Sequence, residues 1–216
     1  MSNKLSITFL SDSPENWMAK HSQALIAKLR KDHLVNLVYD EMQINQGDIL
    51  FILSYYKLVS EEILKKNVHN IVIHASNLPH GKGWSPATWQ ILEGKSKIPL
   101  TLFEAIKKVD AGQIYFQDSI IFEGTELIDE WQDKMGKKIS EMVLKFIKLY
   151  PHVNGKKQQG KESFYAKRTP KDSQLNIDKT IKEQFNLLRV VDNEKYPAFF
   201  IYEGKKYVLK IYKPNA

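Results

Sequence analysis

DILFILSYYKLVSEEILKKNVHNIVIHASNLPHG, residues 48–81, decides the fold class. Asp48–Leu53 is near-continuously apolar, and Asn70–Ile73 is a second such run. Runs of this kind fit strands covered on both faces, as in a parallel sheet. Ser60–Lys66 between them reads as a short helix, and strand alternating with helix argues an open α/β sheet. Upstream, Leu5–Leu10 reads as a short buried strand. Ser13-Pro14 has the form of an N-cap followed by proline at the first helical position. A helix to about Lys31 is expected from there, with Trp17, Leu25, Ile26 and Leu29 on its apolar side, and then a strand at Leu34–Tyr39.

Downstream, Ser85-Pro86 repeats the cap-plus-proline device and predicts a helix over about Pro86–Leu92. Ile98–Ala105 and Gln113–Ile121 read as two further strands, joined by the turn-like KKVDAGQ. Thr125 to about Leu149 is a long amphipathic helix. The expected architecture is α/β, an open, mostly parallel twisted sheet occupying residues 1–150. Residues 151–177 read as a basic linker, because the breaker-rich stretch 150–172 holds five lysines and one arginine. Residues 178–216 read as a last helix, capped by Asp178 with Ile181, Phe185 and Leu188 on one face, and a hairpin. The hairpin joins Phe199–Tyr202 to Lys205–Tyr212 through Glu203-Gly204. Phe199, Phe200 and Ile201 offer an apolar edge on which a homodimer could form.

The chain has 216 residues, 43% of them hydrophobic, enough for one ordinary domain and a modest appendage. It has no cysteine, which removes disulfides, thiolate metal sites and Cys nucleophiles and fits a reducing cytoplasm. No basic flank followed by a long apolar run opens the sequence, and no run approaches a membrane-spanning length, so a cytoplasmic protein away from membranes is expected. The net charge of +7 suits anionic partners such as nucleotides, nucleic acid or phosphorylated substrates, and equally a solvated lysine-rich surface.

Ligands of open α/β sheets bind beyond the carboxyl ends of strands. His74 stands at that end of IVIH. Ser76, Asn77, Leu78-Pro79, Gly81 and Gly83 follow, small and turn-forming residues that let a substrate approach the backbone. A lone histidine there is also an ordinary strand cap. Asp110, 36 positions later, lies in the turn VDAGQI. A carboxylate beside an imidazole orients it and stabilises its protonated form, although an aspartate before Ala-Gly is commonly only a turn residue. His80 reads as a solvated imidazole. Trp89 reads as core, while Trp84 could stack on a base or sugar or pack on the sheet edge. Lys82, between two glycines, could meet a substrate phosphate or be solvated.

HASNLP…G…SP followed by LFEAIKKVDAGQIYFQ resembles the N10-formyltetrahydrofolate-dependent formyltransferase family, whose pattern is N-x-H-x-S-L-L-P, a downstream glycine, and D-x-G-x-I. The resemblance covers roughly residues 48–121. The tail, KRTPKDSQLNID with LLRVVDN…YPAFFIYEGKKYVLK, is similar to segments after the catalytic domain of methionyl-tRNA and sugar-amine formyltransferases. The resemblance implies a Rossmann-like formyltransferase core, N10-formyltetrahydrofolate as formyl donor, no metal and no covalent enzyme intermediate. It makes His74 the catalytic histidine and Asp110 the catalytic aspartate. Leu53, Ser54, Tyr55, Tyr56 and Leu58 would line the pterin pocket, with Val109 and Asp110 opposite. Ser76, Lys82, Gly83 and Trp84, and on the linker Lys167, Arg168 and Lys171, would meet the substrate.

One member of the family's triad is missing. Two residues before the histidine the family has asparagine, and this chain has Val72, which cannot donate to a developing oxyanion. Positions two apart on a strand face the same side, so Asn70 shares that side, one pair further back. Asn77, in the turn, is the preferred substitute donor.

The resemblance leaves three acceptor amines. Glycinamide ribonucleotide enzymes have a phosphate-gripping glycine loop after the first strand, where this chain reads SDSPENW. Methionyl-tRNA enzymes carry a full C-terminal barrel, for which residues 173–216 are too few. The basic linker is the electrostatic footprint a tRNA would need, so that acceptor stays as the alternative. A nucleotide-linked 4-amino-4,6-dideoxy sugar, including pseudaminic-acid-type precursors, made for surface glycans, is the expectation. A folate- or nucleotide-binding relative with little catalysis is the non-enzyme alternative.

Overall fold

The structure is a computed structural model and describes residues 4–214. Six strands form one sheet in the order β2-β1-β3-β4-β6-β7. These are β1 (Ser6–Leu10), β2 (Leu34–Val38), β3 (Gly47–Ile52), β4 (Asn67–His74), β6 (Lys97–Glu104) and β7 (Ile114–Ile121). The first four pair in parallel. The last two form a hairpin that joins the edge of β4 antiparallel. The expected α/β, mostly parallel sheet is thus present, and the chain reverses its direction of winding between β1 and β3.

Alternate residues of the central strands feed opposite faces. Ile49, Phe51, Ile71 and Leu53 enter the large core under α1 (Ala19–Leu29) and α4 (Ile128–Leu149). Leu50 and Ile52 enter a smaller cluster with Ile63 and Leu64 of α2 (Glu61–Leu64), against which Val72, Tyr55 and Ala105 pack. Burial on both faces explains why DILFIL carries no polar alternation. Among the described residues no helix is long and apolar enough to cross a membrane.

Several local expectations need correction. Helix α1 starts at Ala19 rather than behind Ser13-Pro14. The side chain of Asn16 takes over the turn: its carbonyl accepts from Met18 N, and its amide donates to Ser11 Oγ and Ser13 O. Helix α3 (Pro86–Leu92) does begin with proline, but Ser85 lies at φ +46° and its hydroxyl makes no cap. Among the described residues Asp178 accepts no capping hydrogen bond, and residues 178–184 form turns and bends. Thr180 and Glu183 bond reciprocally there, before α5 (Phe185–Arg189). Ile181 is exposed.

The stretch read as a linker is packed against the sheet domain. Phe164–Tyr165 (β8) pairs in parallel with Lys82–Gly83 (β5). Ile114 and Lys156 exchange two backbone hydrogen bonds of 2.8 Å. Residues 155–168 therefore form a strap across the His74 turn and the β6–β7 turn. Beyond it, β9 (Ala198–Tyr202) and β10 (Lys205–Leu209) form the terminal hairpin. Its root, Ala198 and Phe199, is buried, so Phe199 is not edge surface, whereas Ile201, Tyr202, Tyr207 and Val208 are exposed.

Candidate active site

His74 is the last residue of β4, on the face shared with Val72, beside Thr101 of β6. The β6–β7 turn starts at the level of Asn70, where Ala105 N bonds Asn70 O. It folds back over the small cluster, through Ala105, until Asp110 reaches the end of β4. The side chains of His74 and Asp110 are each only 11% exposed, with Nδ1 and Oδ1 3.9 Å apart. The sequence-predicted pair is brought together.

Both members are held by the backbone of one short segment. His74 Nε2 lies 2.9 Å from Gly81 O. A carbonyl only accepts, so Nε2 carries the proton and Nδ1 is the nitrogen turned to Asp110. Asp110 Oδ2 accepts from Gly83 N at 2.9 Å. Asp110 itself sits at φ +50°, a conformation that aspartate tolerates better than most residues. Its carbonyl and that of Gly112 accept from Gln158 Nε2, each at 2.9 Å.

The strap fixes this segment from outside. Ser163 Oγ accepts from Gly81 N and meets His80 Nδ1, both at 2.9 Å. Lys82 N and Trp84 N donate to Ser163 O and Tyr165 O. A Cβ on Gly83, at φ +93°, would lie 2.5 Å from Tyr165 O, so only glycine lets the two backbones pair this closely.

Four expected substrate contacts prove to be structural. Lys82 is 2% exposed, and its Nζ lies 2.6 Å from Glu162, whose carboxyl that bond holds below its ordinary value. Lys82 is therefore buried in an ion pair and does not await a phosphate. Gly83 binds Asp110. Ser76 is buried under Gly81, its carbonyl taken by Thr101 Oγ1 at 2.7 Å. Arg168 turns inward to Val190 O and Asp172 O, and burial lowers its pKa. Trp84 remains 39% exposed, with Lys167 Nζ 4.6 Å over its ring.

On the donor side, Leu53 is corrected as well. Its side chain is in the large core and its carbonyl accepts from Ser11 Oγ. Ser54 sits at φ +54° and donates to Tyr56 Oη at 3.3 Å. Tyr55 packs on the small cluster with Val72, and Tyr56, Leu58 and Val109 are exposed.

Asn77 does not join the pair. Its carbonyl accepts from Gln117 Nε2 at 2.9 Å, on the edge strand β7, and among the described residues no hydrogen bond links it to His74 or Asp110. Asn70 is a buried brace, donating to Leu64 O. Gln158, Ser163 and Glu162 were invisible to sequence reading, because a polar residue in a lysine-rich stretch gives no sign of what it touches.

The Formyl transferase family profile matches residues 11–147, well over half of the chain, and the chain belongs to that family. It is a formyltransferase. Solved structures are similar throughout. A methionyl-tRNA formyltransferase from Clostridium thermocellum superposes with a TM-score of 0.82 at 18% identity, covering 98% of this chain and 94% of that one. A sugar N-formyltransferase from a Shewanella species gives 0.71 at 15% identity, covering 98% and 99%. HypX from Aquifex aeolicus in complex with tetrahydrofolic acid gives 0.80 at 18% identity, covering 97% of this chain and 38% of that one. At these identities the likeness is one of fold. Length does not separate the acceptor classes either, since the methionyl-tRNA enzyme is matched over nearly all of its chain.

Proposed function

We propose that this protein transfers the formyl group of N10-formyltetrahydrofolate to the amine of a nucleotide-linked 4-amino-4,6-dideoxy sugar destined for a surface glycan. The observation that carries the reaction is the facing of His74 Nδ1 and Asp110 Oδ1 across 3.9 Å. That gap is too wide for a direct hydrogen bond, and a donor set to one side of it, an amine or a water, can bridge the two acceptors.

The transfer forms a bond between the amine nitrogen and the formyl carbon, breaks the bond to N10, and moves one proton from the amine to N10. His74 Nδ1 is the free base for that proton, because Nε2–H is engaged by Gly81 O. Asp110 orients the acceptor N–H and stabilises His74 while it is protonated. A positioned acid–base group of this kind is worth about 10²–10⁴-fold in rate. This reading puts the donor between the loops 54–58 and 105–110, where Tyr55, Tyr56, Leu58 and Val109 would offer apolar surface to a flat pterin, and HypX with bound tetrahydrofolic acid has the same fold. Val72 makes the floor beside His74 apolar, so oxyanion stabilisation falls to His74 or to backbone donors.

The sugar acceptor is favoured over tRNA by the engagement of four of the cations around the His74 turn. Arg168 faces inward, Lys167 lies on Trp84, and Lys82 and Lys108 share Glu162. Incubating the protein with N10-formyltetrahydrofolate and a panel of nucleotide amino sugars should add one formyl group to a sugar, read by mass. Formylation of charged initiator tRNA instead would establish the alternative. Bound folate with no acceptor formylated would make the chain a binding relative. We further infer a homodimer through the exposed hairpin residues Ile201, Tyr207 and Val208, with Ile201→Lys expected to yield a monomer in sedimentation.

A further inference from the structure

A cavity of about 310 Å³ opens at the sheet edge, lined by Asn77, His80, Gln117, Lys156, Lys157 and Gln159 together with apolar Leu78, Pro79 and Ile114. We propose that it holds the diphosphate of the acceptor. This rests on the sugar-nucleotide reading above and assigns that substrate's charged half to named residues.

Three observations point there. The first is register. His74 stands opposite Thr101, and Thr101 opposite Gln117. Residues directly opposite in antiparallel pairs share a face, so the three form one row across β4, β6 and β7. Two strand spacings, roughly 9–10 Å, separate the catalytic end of the row from the cavity. That is about one pyranose ring and its anomeric phosphate, the distance at which a sugar with its amine at His74 presents its diphosphate.

The second is charge. Two lysines and an imidazole line the cavity, and no carboxylate does. Lys156 and Lys157 have no ion-pair partner among the described residues, whereas the nearby Lys82 and Lys108 both pair with Glu162. Lys156 is fixed in place by its two backbone bonds to Ile114. Two consecutive lysines on one cavity, with no ion-pair partner among the described residues, match a dianionic ligand better than a single carboxylate.

The third is preorganisation. Gln117 Nε2 bonds both Thr101 Oγ1 (2.8 Å) and Asn77 Oδ1 (2.9 Å), and Thr101 Oγ1 bonds Ser76 O. This buried-to-surface chain fixes both amides at the cavity mouth, and among the described residues no acceptor takes the Asn77 amide N–H groups, which point to a ligand. Asn77, expected as an oxyanion donor, becomes a ligand for the acceptor.

The test uses the full chain with inorganic pyrophosphate, UDP and dTDP in titration calorimetry. Wild type should bind at least one nucleoside diphosphate, and Lys156→Ala/Lys157→Ala should weaken it at least tenfold. A folate analogue should bind both proteins alike, which also reports that the variant is folded. In turnover, the double variant should raise KM for the nucleotide sugar with kcat little changed. Unchanged nucleoside-diphosphate affinity in the double variant, no binding to wild type, or a loss of folate affinity instead would overturn the assignment. The last would make the cavity a carboxylate site for the donor. If wild type formylates a nucleotide sugar but the double variant keeps its KM, this inference alone fails. If no sugar is formylated yet the diphosphate affinity depends on both lysines, the acceptor reading fails and the cavity stands.

Discussion

Gly81 and Gly83, two residues apart, hold the two halves of the His74–Asp110 pair: the carbonyl of Gly81 takes His74 Nε2–H, and the N–H of Gly83 donates to Asp110. The spacing of imidazole and carboxylate is thus set by three residues of backbone, and those residues are paired in turn with the strap at Ser163 and Tyr165. A residue that moves the strap should therefore act on chemistry, although it never meets a substrate.

His74→Asn removes the free Nδ1 base. Steady-state assays should give a kcat lower by about 10²–10⁴-fold, with a folate analogue still bound. Turnover within a few-fold of wild type would remove His74 from the reaction.

Gln158→Leu deletes both bonds to the Asp110 turn, one to Asp110 O and one to Gly112 O. Asp110 then drifts relative to His74. A displacement of about 1 Å at a reacting group costs up to about 10²-fold, so kcat should fall by 10- to 100-fold with KM nearly constant. A KM effect alone, with kcat unmoved, would reduce Gln158 to a surface clamp.

Much of the sheet was legible because its strands are buried on two faces. DILFIL and IVIH cannot serve a half-exposed strand, and the turn after His74 reads as turn chemistry residue by residue. Asp110 was legible as a turn residue, but its approach to His74 depends on the hairpin folding back from the level of Asn70, which is tertiary. Lys82 shows the limit most clearly. Its type suggests solvent or phosphate, and only the arrival of Glu162, eighty positions on, makes its burial tolerable. The strap misled for the same reason. Its lysines and breakers describe a linker, while its backbone pairing with Lys82–Gly83 and Ile114 belongs to the fold.

Asn77→Ala separates two roles for one side chain. As a ligand in the edge cavity it should raise KM for the nucleotide sugar and leave kcat within a few-fold. An oxyanion donor would instead cost on the order of 10²–10³ in kcat. Progress curves at saturating acceptor distinguish the two.

The Lys82–Glu162 pair should respond unequally to its two deletions. Glu162→Gln strands an ammonium that is 2% exposed, whereas Lys82→Met leaves a carboxylate with access to water and Lys108 nearby. Thermal melts should show the larger loss for Glu162→Gln. The reverse order would mean that the lysine's methylene stem, not its charge, is what the site requires.

The C-terminal unit is docked by a second buried pair whose pH dependence has a definite sign. Arg189 of α5 donates to Glu126, to its backbone O at 2.9 Å and to its carboxylate at 3.1 Å, and Trp131 Nε1 bonds Arg189 O. Burial alone would raise the Glu126 pKa. The bond from Lys134 and the N–H groups of Glu123 and Gly124 outweigh it and bring the pKa from 4.5 to about 2. A carboxyl with a depressed folded pKa contributes stability that is complete above its unfolded value and is lost as pH falls through the folded one. The wild-type protein should therefore lose about 3 kcal/mol from this group between pH 4.5 and 2. Glu126→Gln strands Arg189, which is 3% exposed, and should destabilise by about 3–5 kcal/mol at neutral pH. Its denaturant midpoint should then fall less steeply with acid than that of wild type. Parallel acid profiles for the two proteins would show that Glu126 is not the group that titrates.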